Sequence, residues 1–318
     1  MKRSFLALLL VGCASEASTN AGTCIAPANP GGGWDFTCRT TAQMLGTLAP
    51  GGRPLLVTNI PGDGGGVAFA RMVNDSRGNE RVIAAASPST LLGLAQRHYG
   101  AKTERDVRWI AALDAEPSVI AVSADAPWRT LPEFVAAWRA HPDRITIGGG
   151  SAVGGQDHMK MLLLARTAGM DVRQVQYLPL GGPAEAISLL RAGTVQVYPG
   201  DVSKVLREVQ RGELRVLAVL GEKRTKGALA AVPTAREQGF DLVFVIWRGF
   251  YAPPGISDSA YHQWVERLRT MSTSQEWKTL LARNGLTPFF VGGREFEQFV
   301  TEQTAAYRTV SKEIGVIP

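Results

Sequence analysis

The sequence predicts an α/β fold in two lobes, a clamshell whose hinge is a pair of crossing strands. Three observations carry this. Short apolar runs of strand length alternate with helical spacings from Cys24 to about Gly255, the pattern of a largely parallel sheet covered on both faces. The 318 residues suffice for about two domains, each with a buried core. Two extended runs, 118–124 and 244–252, bracket a second α/β unit, and two connections between lobes let a hinge flex while each lobe stays rigid.

The elements follow in order. Residues 24–28 read as a short apolar strand, 29–33 as a glycine-rich turn and 34–48 as a helix. A strand at 55–59 runs into Pro61-Gly62-Asp63-Gly64-Gly65-Gly66, which opens a helix through 74. A buried strand at 82–86 ends in Ser87-Pro88-Ser89-Thr90 before another helix. Strands are expected at 109–113, 118–123, 145–148, 174–178, 195–198, 214–220 and 244–251. Helices are expected at 131–139, from the glycine loop after 148 to about 169, at 184–192 and at 202–211. The last sixty residues read as helical and amphipathic throughout. This gives a targeting segment and tail at 1–22, a first lobe from 23–124, a second from 125–243, and a return strand with C-terminal helices of the first lobe from 244–318.

Composition narrows the function. With 45% hydrophobic and 19% charged residues, 35 Gly and 18 Pro, the chain is neither disordered, collagenous nor a coiled coil. The net charge of +6 falls to +4 without Lys2 and Arg3. That small surplus, without a basic run or interleaved aromatics, suits an anionic small ligand and argues against nucleic acid. Met1-Lys2-Arg3 followed by the apolar run 5–11 reads as a secretory signal, far shorter than the ~20 residues of a membrane span. Leu10-Val11-Gly12-Cys13 reads as a lipobox with Cys13 lipidated, or the signal is an ordinary one cleaved around 14–21. In an oxidising compartment, Cys24 and Cys38 are expected to form a disulfide pinning the first strand to the first helix; two buried thiols are the alternative. No CxxC or paired-histidine spacing points to a metal.

One feature recurs: a strand end meets a Gly- or Ser-rich turn at a helix start. It occurs at Gly31, Gly32 and Gly33, at 62–66 with Gly64, at 87–90 with Ser87, at 149–155, and at Gly181-Gly182. Each such turn offers backbone N–H groups beside the positive end of a helix, and in open α/β sheets these turns gather at one edge. A single such loop is as readily structural, because glycine serves tight turns; five together point to an anion-binding cleft. No phosphate-loop motif is present, and residues 62–67 match a dinucleotide fingerprint only loosely. The segment around Ser151 lacks the second glycine of a nucleophile elbow, although Ser151 and His158 allow a hydrolase reading. Arg248, in an apolar extended run, is either a fork for a ligand carboxylate or a hinge residue paired with an acid. Trp34 and Trp247 are cleft walls or core. Asp35 and Asp201 are candidates to hold a water or a ligand hydroxyl, and Asp35 equally suits a first helical turn.

Four segments together carry a resemblance: Ile25-Ala26-Pro27-Ala28-Asn29-Pro30-Gly31-Gly32-Gly33-Trp34-Asp35, Pro61-Gly62-Asp63-Gly64-Gly65, Gly149-Gly150-Ser151-Ala152-Val153-Gly154-Gly155-Gln156-Asp157-His158 and Trp247-Arg248-Gly249-Phe250-Tyr251-Ala252-Pro253-Pro254-Gly255. In that order they resemble the extracytoplasmic solute receptors of tripartite tricarboxylate transporters, also called Bug receptors. The resemblance implies a periplasmic-binding-protein fold of the type II kind, a periplasmic location and delivery of a small organic carboxylate, di- or tricarboxylate and citrate-like, to membrane permease subunits. It implies a monomer that binds no nucleic acid and uses no cofactor, metal or catalytic residue. By the same resemblance, the loops holding the ligand carboxylate are Asn29 to Asp35 and Ser151 to His158, which include Ala152, Gly154 and Gly155. The first loop departs from the Phe-Pro-Pro/Ala-Gly-Gly pattern of many members. A sensor subunit presenting its ligand to a membrane kinase, and a secreted α/β hydrolase, are the alternative readings.

Overall fold

The computed structural model describes residues 22–48, 54–284 and 286–318. The signal segment and Cys13 lie outside the described residues. No helix among the described residues is long and apolar enough to cross a membrane.

The first lobe begins with β1 (Thr23–Ala26), α1 (Gly33–Leu48), β2 (Leu56–Asn59), α2 (Gly66–Asn74), β3 (Val82–Ala86), α3 (Pro88–Ala95) and β4 (Arg108–Pro117). The second lobe follows with β5 (Val119–Ser123), α4 (Leu131–Ala140), β6 (Thr146–Gly149), α5 (Gln156–Thr167), β7 (Gln176–Pro179), α6 (Pro183–Arg191), α7 (Val202–Gln210) and β8 (Leu214–Val219). The chain then returns through β9 (Val245–Ala252), α8 (Asp258–Thr273), α9 (Gln275–Arg283), β10 (Thr287–Gly292) and α10 (Arg294–Glu313). Local chemistry sets many of the starts. Ser87 and Thr90 form a reciprocal capping box at α3, and Thr130, Ser257 and Ser274 accept from the first-turn amides of α4, α8 and α9.

The first-lobe sheet runs β10-β4-β9-β3-β1-β2. Only β1 with β2 and β3 pairs parallel; β3–β9, β9–β4 and β4–β10 are antiparallel. The expected largely parallel sheet is therefore mixed, because β9 comes back from the second lobe running against its neighbours. The C-terminal segment is also not wholly helical. β10 interrupts it as an edge strand with a bulge between Pro288 and Val291, a position where a proline is tolerated. In the second lobe β5 pairs with β8 antiparallel and β6 with β7 parallel. The strand expected at 195–198 is reduced to two bridges, Ile147 to Val197 and Ala121 to Tyr198, which join the two pairs.

The two passages between lobes lie side by side. Ser118 N–H donates to the Phe244 carbonyl at 3.1 Å, Leu220 N–H to Ser118 O at 2.7 Å and Phe244 N–H to Leu220 O at 2.8 Å. One face of the first sheet is covered by α1, α8 and α9 around Trp264, Trp277 and Leu268. On the other face the core of Phe69, Tyr251, Trp109 and Phe296 continues into the second lobe through Trp247 and Phe134. Trp247 is thus core rather than cleft wall; its indole donates to Gln303 Oε1 at 3.0 Å.

Cys24 and Cys38 are disulfide-bonded with Cα atoms 5.7 Å apart, tying β1 to α1 across fourteen residues. Closing a loop of that length stabilises by about 3 kcal/mol through the unfolded chain. The Cys24→Ala/Cys38→Ala pair is accordingly expected to lose about that much in denaturant unfolding, and an unchanged midpoint would contradict it.

Candidate functional site

A cavity of about 500 Å³ lies between the lobes. The first lobe lines it with Asp63 and Gly64 on the glycine turn, with Ser89, Leu92, Gly93 and Gln96 along α3, and with His98 and Tyr99 beyond it. The second lobe contributes residues 150–153 and 155–157 at the start of α5, together with Pro183, Tyr198 and Asp201. Two glutamines close one side of it. Gln96 Nε2 donates to Gly154 O at 2.6 Å, and Gln156 Nε2 donates to Ser89 Oγ.

The glycine turn is sharp because φ is positive from Gly62 through Gly65, at 127°, 49°, 56° and 101°. A Cβ on Gly65 would press on Trp34 and Tyr99 at 3.2 and 3.0 Å. Tyr99 Oη donates to Gly64 O at 2.7 Å and holds the turn against the cavity.

The α5 loop is organised by Asp157. Its Oδ2 accepts from Gly150 N–H at 2.9 Å, while its own N–H donates to Ser151 Oγ at 3.0 Å. Tyr177 gives its only proton to the Ser151 carbonyl at 2.7 Å, so the Ser151 hydroxyl donates to Tyr177 Oη at 3.1 Å. His158 Nδ1 accepts from Gly154 N–H at 3.0 Å, which leaves the proton on Nε2. The ring stacks on Tyr177 at 4.4 Å. Burial pushes the His158 imidazole down to about 4 and the Tyr177 phenol up to about 12. Ser151 and His158 are therefore committed to separate partners, and the serine–histidine pair of the hydrolase reading is not formed.

Beneath the cavity lies Lys160, wholly buried. Its ammonium donates to Asp157 Oδ1 at 2.9 Å, Asp201 Oδ1 at 2.8 Å and Pro199 O at 3.0 Å. Burial opposes its charge, but the two carboxylates outweigh burial and raise its pKa. Sequence reasoning passed over Lys160. Its signal was a lysine between Met159 and Met161 in an apolar run, one turn after Asp157.

Of the residues singled out from sequence, Gly64, Ser151, Ala152, Gly155 and Asp201 line the cavity. Gly154 and His158 form the layer behind it, joined to each other, with Gly154 also accepting from Gln96. Asn29, Gly31, Gly32, Gly33, Trp34 and Asp35 do not line it. Asp35 is fully engaged: Oδ2 accepts from Gly31 N–H at 2.8 Å and Arg39 at 2.9 Å, and Oδ1 accepts from Asn59 at 2.8 Å. The Arg39 hydrogen bond, with help from Gly31 and Asn59, holds its carboxyl down at about 2. Its role is to close the first loop. Trp34 donates to Ser87 Oγ at 3.1 Å, which accounts for both residues. Gly181 N–H is taken by Glu185 Oε2 at 2.7 Å. Arg248 is paired with acids of the neighbouring strand β4 within the first-lobe sheet, Asp114 at 3.1 Å and Glu116 at 3.5 Å, rather than across the lobes. Burial lifts the Asp114 carboxyl to about 6, with Arg248 opposing and Glu116 adding to the rise.

The model of the tripartite tricarboxylate transporter family receptor matches residues 41–316. The chain belongs to this receptor family. Protein BugT of Bordetella pertussis is 24% identical over 296 residues, covering 92% of this chain and 88% of that protein. The crystal structure of a TctC solute-binding protein from Polaromonas, without ligand, superposes with a TM-score of 0.81 at 25% identity, covering 93% of this chain and 99% of that one. MatC from Rhodopseudomonas palustris with bound malate superposes at 0.68 and 22% identity, covering 92% and 99%; at that distance the likeness is one of fold. The family and fold are those of periplasmic solute-binding receptors.

Proposed function

We propose that this receptor captures a small organic carboxylate, of the di- or tricarboxylate class, in the cleft between its lobes and hands it to membrane permease subunits. The observation that carries the reading is the start of α5. Among the described residues nothing accepts from the N–H groups of Ser151, Ala152 and Val153, and these three residues line the cavity at the positive end of a twelve-residue helix. Ser89, on the first turn of α3, faces them from the other lobe. A carboxylate seated on the second lobe is then covered by the first. Closing the cleft removes water and strengthens each N–H···O contact. The ligand selects the closed form by its better contacts there, and a permease that recognises only the closed form would receive loaded receptor. The malate seen in MatC supports a carboxylate of this size.

A thermal-shift screen of the protein against mono-, di- and tricarboxylates, with neutral sugars as controls, tests the reading. A ligand at a hundredfold excess over Kd stabilises by roughly 2.7 kcal/mol, so a carboxylate that fits raises the melting temperature measurably. A shift with a sugar and with no carboxylate would refute the proposal.

A further inference from the structure

Asp201 breaks a local rule. It occupies the N-cap of α7, where an aspartate ordinarily accepts from the second or third amide of its helix, yet it makes no such bond. Glu116, reaching from β4, takes the amide of Ser203 instead at 2.6 Å. Freed from capping, the Asp201 side chain turns toward the cavity. Oδ1 is fixed from two sides, by Lys160 Nζ at 2.8 Å and Ser118 Oγ at 2.9 Å. Oδ2 has no partner among the described residues, on a side chain about one-fifth exposed and lining the cavity.

Asp157, the neighbouring acid on the same lysine, differs. Both of its oxygens are satisfied within the protein. Among the described residues, no lysine or arginine lines the cavity, and Asp63, Asp157 and Asp201 all do. One end of the cavity therefore offers amide donors, while Asp201 offers an acceptor held in a fixed direction by Lys160 and Ser118. Among the described residues, Asp63 has no hydrogen-bonded side-chain partner to hold it so. An ionised carboxylate accepts and cannot donate. A ligand atom that closes against Oδ2 must carry a proton, or the acceptor loses water without replacement.

We infer that Asp201 Oδ2 accepts a hydrogen bond from a hydroxyl or ammonium group on the carbon skeleton of the bound carboxylate. The ligand is then a hydroxy- or amino-substituted acid, and Lys160 and Ser118 are the positioning residues that aim Oδ2. This rests on the carboxylate reading of the cleft and adds a second point of recognition to it.

Calorimetric titration of the full chain with three matched sets tests it: succinate, malate and aspartate; propionate, lactate and alanine; glutarate, 2-hydroxyglutarate and glutamate. In whichever set binds, a donor-bearing member is expected to bind roughly tenfold or more tighter than the unsubstituted acid, the scale of a hydrogen bond to a charged group. The hydroxy and amino arms show which donor is read. In Asp201→Asn, the amide oxygen stays on Lys160 and Ser118, so the amide nitrogen faces the ligand and the preference shrinks below threefold or reverses. If that variant does not fold by circular dichroism, the wild-type ratios alone decide. Equal binding of substituted and unsubstituted acids would overturn the role of Asp201 and leave the carboxylate reading standing. If none of the nine binds, tricarballylate against citrate is titrated in the same way, and no binding there either would overturn both.

Discussion

Lys160→Met is expected to lower stability by about 3–5 kcal/mol, the cost of stranding buried charge when one partner of an ion pair is removed. Methionine fills much of the same space, so the loss comes from leaving the Asp157 and Asp201 carboxylates without their cation, with side chains only 11% and 20% exposed. For a chain of this size that is a fall of about 5–8 °C in melting temperature. Adding Asp157→Asn and Asp201→Asn removes the stranded charges and is expected to recover much of the loss. A melting temperature unchanged in Lys160→Met would show that the triad contributes nothing. Function falls with stability here, because Asp157 also holds Gly150 N–H and so shapes the loop on the cavity wall.

Gly150→Ala is expected to weaken ligand binding by roughly a hundredfold while leaving the circular dichroism spectrum unchanged. A Cβ at Gly150 would lie 2.8 Å from Gly182 C and 2.9 Å from Pro183 N. Both are backbone atoms that no rotamer change can move aside. The loop before α6 and the loop before α5 must part, at a typical overpacking cost of 1–3 kcal/mol, and the movement falls on the open amides of residues 151–153. Calorimetric titration with whichever carboxylate shifts the wild type would read it. Binding within threefold of wild type would show that the loop geometry does not matter. A Gly182→Ala control is less damaging in space, since nothing lies within 4 Å of its Cβ, although its φ of 156° is itself unusual for a side chain.

The architecture was largely legible in the sequence, because apolar strand-length runs and capped helices have distinct periods. The sequence points to two crossing strands, 118–124 and 244–252; in the fold residues 119–123 pair with β8 of the second lobe and 245–252 sit within the first-lobe sheet, so only the short passages at 118 and 244 cross. What was not legible was strand direction: whether β9 runs with or against β3 depends on where the second lobe releases the chain. β10 was hidden because Pro288 and Gly292 flank only three apolar residues, too few to set a period of two. In the site, the glycine loops announced backbone donors, and Gly64, Ser151, Ala152, Gly155 and Asp201 do meet at one cavity. Asp35 and Arg248 stayed open between two roles because a charged residue beside an apolar run looks the same whether its partner is a ligand or another side chain. Two partners of Asp35, Gly31 and Arg39, are four residues away, but Asn59 is 24 away and Asp114, the partner of Arg248, 134 away.

The order of the first-lobe strands also governs how the molecule comes into being. β9 sits between β3 and β4, so the middle of that sheet is made only after the whole second lobe has been synthesised. Until residue 252 has emerged, β3 and β4 each present a bare edge over fully buried-type sequence such as Val82-Ile83-Ala84-Ala85-Ala86. Such edges invite pairing with other chains, and contacts this distant along the chain close slowly. The second lobe, contiguous between the two passages, has all its strands in hand earlier. A nascent chain stalled before β9 is thus a half-built sheet that needs shielding, and assembly of this receptor is set by its last quarter.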